Sequence, residues 1–165
     1  MKETLKKKLG QIKIIVSDVD GVLTDGGMYY GAKGELMKKF SARDGKAFEL
    51  LAAMGMRLAW ISGEKNKIIS SRARKLKIRG LYMGAKDKIK VAEKLLKTNH
   101  LQWQNILFVG DDWGDKGLLE KVGISCAPKD AIPAVREIAD VVLNRNGGEG
   151  VIAEVFQLFL RARKI

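Results

Sequence analysis

Short apolar runs alternate along the chain with stretches whose apolar residues recur every three or four positions. Ile12 to Ser17, Leu58 to Ile61, Ile106 to Val109 and Ile124 to Ala127 are nearly unbroken apolar runs of strand length. That is the pattern of strands covered on both faces. Between them, Asp44 to Met54 sets Phe48, Leu51 and Ala52 on one helical face and ends at Gly55. Lys65 to Leu76 spaces Ile68, Ile69, Arg72 and Leu76 helically, and Lys88 to Thr98 turns Val91, Leu95 and Leu96 inward. Met28-Tyr29-Tyr30, the turn Gly31-Ala32-Lys33-Gly34, and Leu36 to Phe40 predict a β-hairpin. Gly80 to Met83 predicts a short strand, Lys116 to Val122 and Ala131 to Ala139 helices, and Val141 to Leu143 a last strand. Asn146-Gly147-Gly148-Glu149-Gly150 breaks the chain before a final helix to about Arg163.

This alternation predicts an α/β fold: a Rossmann-like parallel sheet with helices on both faces and a hairpin flap after strand one. The hairpin is the only insertion between Asp20 and Ser62, and one helix fills Lys88 to Ile106, which leaves no room for a cap domain. No repeat, low-complexity segment or linker divides the chain, so residues 1–165 are expected to form a single domain.

Composition narrows the class. Hydrophobic residues make up 46% of 165, with only two prolines, which suits a globule with a sizeable core. No apolar run approaches the roughly 18 residues of a membrane span. The basic start, Met1 to Lys8, has no apolar stretch or cleavage site behind it, so no secretion signal is expected and the cytoplasm is the default location. Cys126 is the only cysteine, which excludes an intrachain disulfide and suits a buried thiol. The net charge of +12 points to an anionic partner or a solvated lysine-rich surface. The lysines have no aromatic residues interleaved as stacking platforms, which favours a small phosphorylated molecule over nucleic acid.

Ligands of open α/β sheets sit beyond the carboxyl ends of the strands. There the chain places Asp18 and Asp20, then Ser62 and Gly63, then Lys88 at a helix start, then Gly110-Asp111-Asp112-Trp113-Gly114-Asp115. Paired carboxylates at the end of a buried strand are costly without a cation or a proton. Two such clusters predict a shared magnesium site. The set suits phosphoryl transfer. Asp18 attacks phosphorus and forms an aspartyl phosphate. Asp20 protonates the leaving oxygen, then takes a proton from the hydrolytic water. Asp18 and Asp111 hold magnesium, Ser62 and Lys88 bind the phosphoryl oxygens, and Gly21 lets backbone amides approach. Taken singly, each element has an ordinary structural explanation: Asp-x-Asp as a turn, Ser62 or Asn66 as a helix cap, Lys88 as a surface lysine. All four in this order do not.

The motifs Asp18-Val19-Asp20-Gly21-Val22-Leu23-Thr24-Asp25, Ile61-Ser62-Gly63, Asp87-Lys88 and Gly110 to Asp115 resemble those of the haloacid dehalogenase superfamily phosphatases. The string through Gly26, Phe40-Ser41-Ala42-Arg43-Asp44-Gly45 and Arg145 to Val151 is similar to the capless branch that hydrolyses phosphate esters of eight- and nine-carbon sugar acids. Those esters are 3-deoxy-manno-octulosonate 8-phosphate and neuraminate or deaminoneuraminate 9-phosphate, of lipopolysaccharide and sialic acid biosynthesis. The resemblance covers about residues 10 to 160. It implies Asp18 as nucleophile, Asp20 as acid/base whose main-chain carbonyl also binds magnesium, and Asp111 as metal ligand. Asp112 and Asp115 would support the metal, and Ser62 and Lys88 would bind phosphate. It also implies a homotetramer built through the hairpin, with a neighbouring subunit serving as lid, and a Gly147 to Gly150 segment that helps close the site.

Two positions bear on the sugar. Octulosonate enzymes of this branch usually carry arginine after Ser-Gly, whereas here it is Glu64, matched one helix length on by Lys75, as in the nine-carbon branch. A spacing of eleven residues is about three turns, which predicts both on nearly one helix face. Arg43 and Lys46 are further candidates for a substrate carboxylate. The alternatives are a phosphatase acting on nucleic-acid ends or nucleotides, and a non-catalytic anion-binding protein. A receiver domain uses similar residues but places its phosphoacceptor after a middle strand.

Overall fold

In the computed structural model, which describes residues 3–163, six strands form one parallel sheet in the order β5-β4-β1-β6-β7-β8. The strands are β1 (Ile14–Ser17), β4 (Arg57–Ser62), β5 (Gly80–Met83), β6 (Ile106–Val109), β7 (Ile124–Ala127) and β8 (Val141–Val142). The separate antiparallel hairpin pairs β2 (Tyr29–Gly31) with β3 (Gly34–Met37). The expected strand Ile12 to Ser17 starts two residues later, with Ile12 buried just before it.

Helices cover both faces. α1 (Glu3–Gln11), α2 (Ala42–Ala53), α3 (Lys67–Lys75) and α7 (Val151–Arg163) lie over one; α4 (Lys88–Asn99), α5 (Lys116–Leu119) and α6 (Pro133–Arg136) lie over the other. The period of two along β1 divides the core accordingly. Ile15 joins Phe48, Leu51, Trp60, Ile69, Val155 and Phe159 on the first face. Ile14 and Val16 join Ile61, Leu95, Phe108, Leu119 and Val135 on the second. On α2 the buried stripe is Ala47, Phe48 and Leu51; the expected Ala52 is exposed.

Helices α1 to α4 have local causes. Ser41 caps α2 by accepting from the Arg43 amide at 3.2 Å. Asn66 caps α3 by accepting from the Ile68 amide at 2.7 Å. Asp87 caps α4 through the Lys90 amide at 3.1 Å and so makes Lys88 the first helical residue. Helix α1 was not expected from the basic N-terminus. Leu5 and Leu9 recur at i, i+4, and Leu9 is buried against the first-face core.

Strand β1 is central, flanked by β4 and β6 in parallel register. The chain moves from β1 to β4 and β5 on one side, then crosses back to β6 on the other. That reversal opens a crevice at the carboxyl ends of the three adjacent strands.

Candidate active site

Strand β1 runs straight into Asp18, whose amide donates to the Val109 carbonyl at the end of β6 (2.9 Å). This bond draws the loops after β1 and β6 together. Gly21 then turns back with φ +88°, and a Cβ there would stand 2.0 Å from Oδ2 of Asp111. Glycine is thus required by both the backbone and the neighbouring carboxylate. Beside the expected amide approach to phosphate, Gly21 has a second reason: it makes room for Asp111. From the other side, the Gly147–Gly148 segment packs on the same loop, with the Gly148 amide on the Val22 carbonyl at 3.0 Å. That segment braces the loop after β1.

Carboxylate oxygens of Asp18, Asp111 and Asp115 lie within 4.8 Å of one another. The ammonium of Lys88 stands 2.8 Å from Oδ1 of Asp18 and also bonds Oδ1 of Asp115. Oδ2 of Asp115 accepts from the Asp111 amide at 3.0 Å, so Asp115 shapes the loop as well as joining the cluster. Asp112 lies outside the cluster and caps the turn that carries Asp115, accepting from the Trp113 amide at 2.7 Å.

Three carboxylates face one ammonium. Burial first, then the Asp115 charge, pushes Asp18 up to about 7 despite Lys88. Burial, then the charges of Asp18 and Asp115, pushes Asp111 up to about 8. Oδ1 of Asp111 is buried and has no hydrogen-bond partner among the described residues. An unpartnered hard oxygen donor amid excess negative charge fits a hard divalent cation.

Asp20 points elsewhere. Its Oδ1 lies 2.6 Å from the ammonium of Lys38 and its Oδ2 accepts from Ser62 Oγ at 3.3 Å. The Asp20 carboxylate thus stands apart from the cluster, which leaves its main-chain carbonyl as the group expected toward a metal, and Asp115 takes a place beside Asp18 and Asp111. Ser62 also accepts from the Glu64 amide at 3.0 Å. Lysine has three donors, and Lys88 uses two on carboxylates. Lys38, which Glu35 also faces at 2.7 Å, is a site residue that sequence reasoning missed; nothing local marks one lysine among 31 basic residues.

A cleft of about 300 Å³ opens over these groups, lined among others by Asp18, Asp20, Met28, Gly63, Glu64 and Lys88. The other specificity candidates are not brought to it. Glu64 lies in the turn before α3, not on it, so the shared helix face with Lys75 is lost. Lys75 is exposed at the far end of α3, roughly 13 Å along the axis from the cleft end. Arg43 is exposed and lines a separate polar cleft with Asn144, Arg145, Glu149 and Arg161. Lys46 pairs with Glu49 on the outside of α2 at 2.8 Å.

Residues 49–155 match the haloacid dehalogenase-like hydrolase family. The 3-deoxy-D-manno-octulosonate 8-phosphate phosphatase of Escherichia coli K12 is 38% identical over 156 residues, 94% of this chain and 83% of that protein. The crystal structure of the Yersinia pestis 3-deoxy-D-manno-octulosonate 8-phosphate phosphatase superposes with TM-score 0.95 at 34% identity, covering 99% of this chain and 89% of that one. The Moraxella catarrhalis phosphatase, solved with magnesium ion, phosphate ion and the sugar acid, gives 0.94 at 28% identity over 98% and 93%. With a matching family model, close relatives along nearly its whole length and an acidic crevice at the switch point of the sheet, the chain belongs to the haloacid dehalogenase-like hydrolases.

Proposed function

We propose that this chain is a magnesium-dependent phosphomonoesterase that hydrolyses the phosphate ester of an eight- or nine-carbon α-keto sugar acid, with 3-deoxy-manno-octulosonate 8-phosphate as first candidate. The juxtaposition of Asp18, Asp111 and Asp115 around Lys88 carries the reading of the chemistry. The relatives' substrate carries the choice of ester.

Asp18, Asp111 and the main-chain carbonyl of Asp20 would hold magnesium, with Asp115 beside them. When bound, the ion neutralises charge between carboxylate and phosphoryl group. Asp18 attacks phosphorus, a bond forms from its carboxylate oxygen, and the ester P–O bond breaks. Asp20 gives its proton to the leaving sugar oxygen. Asp20 then accepts a proton from the water that attacks the aspartyl phosphate, releasing phosphate and restoring Asp18. Lys88 keeps one donor for a phosphoryl oxygen, and Ser62 and the Gly63 backbone supply others.

The cleft volume is at the lower end of the range for ligand sites. The hairpin beside the cleft exposes Met28, Tyr29, Tyr30, Leu36 and Met37, an apolar surface that suits a subunit contact. A homotetramer in which a neighbour completes the site fits both features. Glu64 lines the cleft, where its carboxylate would accept from substrate hydroxyls or, on a nine-carbon ester, an amine.

The test is phosphate release with magnesium from the three sugar-acid phosphates, wild type against Asp18→Asn. Release from the octulosonate ester, lost on substitution and on chelation, supports the reading. A preference of about tenfold in kcat/KM, roughly 1.4 kcal/mol, for a nine-carbon ester would transfer the assignment to it. Undiminished turnover by Asp18→Asn would overturn the mechanism.

A further inference from the structure

The hairpin holds large apolar side chains in the open, with Tyr30 66% and Leu36 63% accessible. Yet Lys38, directly after β3, has a side chain only 1% exposed. It points under the hairpin into the site, with its ammonium 2.6 Å from Asp20 Oδ1 and 2.7 Å from Glu35 Oε1. Glu35 in turn accepts from the Asn66 amide nitrogen, and Asn66 caps α3. Asp20 accepts from Ser62, at the end of β4, on its second oxygen. A continuous polar chain thus runs from Ser62 through Asp20, Lys38 and Glu35 to Asn66, joining the hairpin to the end of β4 and the start of α3.

A buried cation is a poor choice for holding a hairpin down. Desolvating it is costly, and an apolar side chain of similar volume would serve stability as well or better. Burial acts against the Lys38 charge, and the facing carboxylates of Asp20 and Glu35 outweigh it. Ser62 has one hydroxyl proton. When that proton turns to a phosphoryl oxygen, Lys38 is the side-chain donor left on Asp20 among the described residues.

We infer that Lys38 is a positioning residue: it orients the Asp20 carboxyl group toward the leaving oxygen and makes proton transfer depend on the seating of the hairpin. The inference rests on the reading of Asp20 as the general acid. It assigns Lys38 no contact with the phosphoryl group, which separates it from Ser62 and Lys88.

Leaving-group dependence tests this. The sugar ester needs a proton on its departing alkoxide; p-nitrophenyl phosphate releases a stable nitrophenolate and does not. The value of kcat/KM reports events up to phosphorylation of Asp18, so the later hydrolysis step does not enter. For Lys38→Met, kcat/KM on 3-deoxy-manno-octulosonate 8-phosphate is expected to fall about 100-fold, the lower range for general acid catalysis, with the p-nitrophenyl ester changed by less than about fivefold. Equal losses on both esters would make Lys38 a structural or phosphate-contacting residue and overturn the proposal. Glu35→Gln keeps the fold safer and slackens the same chain. It is expected to give the same selective loss, about three- to tenfold, and an unchanged ratio between the two esters would overturn the proposal even if Lys38→Met does not fold. Asp20→Asn is the control. Selective loss on the sugar ester upholds Asp20 as acid, so a Lys38 result without selectivity then counts against Lys38 alone. Equal loss with Asp20→Asn overturns the acid assignment and the inference with it.

Discussion

The ammonium of Lys88 stands 2.8 Å from Oδ1 of Asp18, with both side chains about nine-tenths buried. One ammonium does not balance three carboxylates, so the site takes up protons or a cation.

Removing that ammonium should be more harmful than removing a surface lysine. Lys88→Ala leaves Asp18 and Asp115 facing each other without a cation between them. We expect kcat to fall about 100- to 1,000-fold, the range for losing one preorganised donor. Steady-state phosphate release at saturating magnesium checks this, with circular dichroism to confirm the fold.

The metal-free protein should lose stability as pH rises. Asp18, Asp111 and Asp44 are raised from 3.8 to about 7, 8 and 6, burial being the largest cause for each. Between about pH 4 and 8 the folded state therefore binds more protons than the unfolded state, and unfolding free energy falls with pH. Asp87 and Asp140 shift downward and act only below their ordinary range; Lys38 and Lys88 shift upward and contribute a constant across this window. One excess proton is worth about 1.4 kcal/mol per pH unit, or about 3–5 °C in Tm. Calorimetry in chelator from pH 5 to 8 should show that fall. Added magnesium should flatten it, because a bound cation replaces the protons.

Gly21→Ala should separate folding from function. The added Cβ would meet Asp111 Oδ2 at 2.0 Å, at a backbone φ of +88°. We expect about 1–3 kcal/mol of destabilisation and a larger loss of magnesium affinity, since Asp111 must move. Titration of activity against magnesium, alongside denaturant unfolding, resolves the two effects.

Charging the hairpin surface should dissociate an assembly built on it. Tyr30 and Leu36 are exposed on β2 and β3. Tyr30→Asp with Leu36→Asp should leave a folded protein whose mass by light scattering is that of one chain. An unchanged larger mass would place the subunit contact elsewhere.

Local pattern carried much of this protein. The apolar runs announced six sheet strands because β1, β6 and β7 are buried on both faces and tolerate little else. The carboxylates that follow them announced chemistry, because charge at the end of a buried strand needs a partner. Helix ends were less legible. The run Lys116 to Val122 shortened to Lys116–Leu119, and Ala131 to Ala139 to Pro133–Arg136, since capping and tertiary packing set termini.

What sequence alone determined was the α/β alternation and the identity of Asp18, Asp20, Ser62, Lys88 and Asp111 as candidates, because each sits at a fixed offset from a strand. What only the tertiary structure decided was which groups meet. It set Asp115 beside Asp18, separated Glu64 from Lys75, sent Arg43 to another cleft and drew Lys38 onto Asp20 across eighteen residues. Ion-pair partners carry no periodic signal. Any of 31 basic side chains offers the same charge, and burial, which exists only after the chain has folded, decides which one is used.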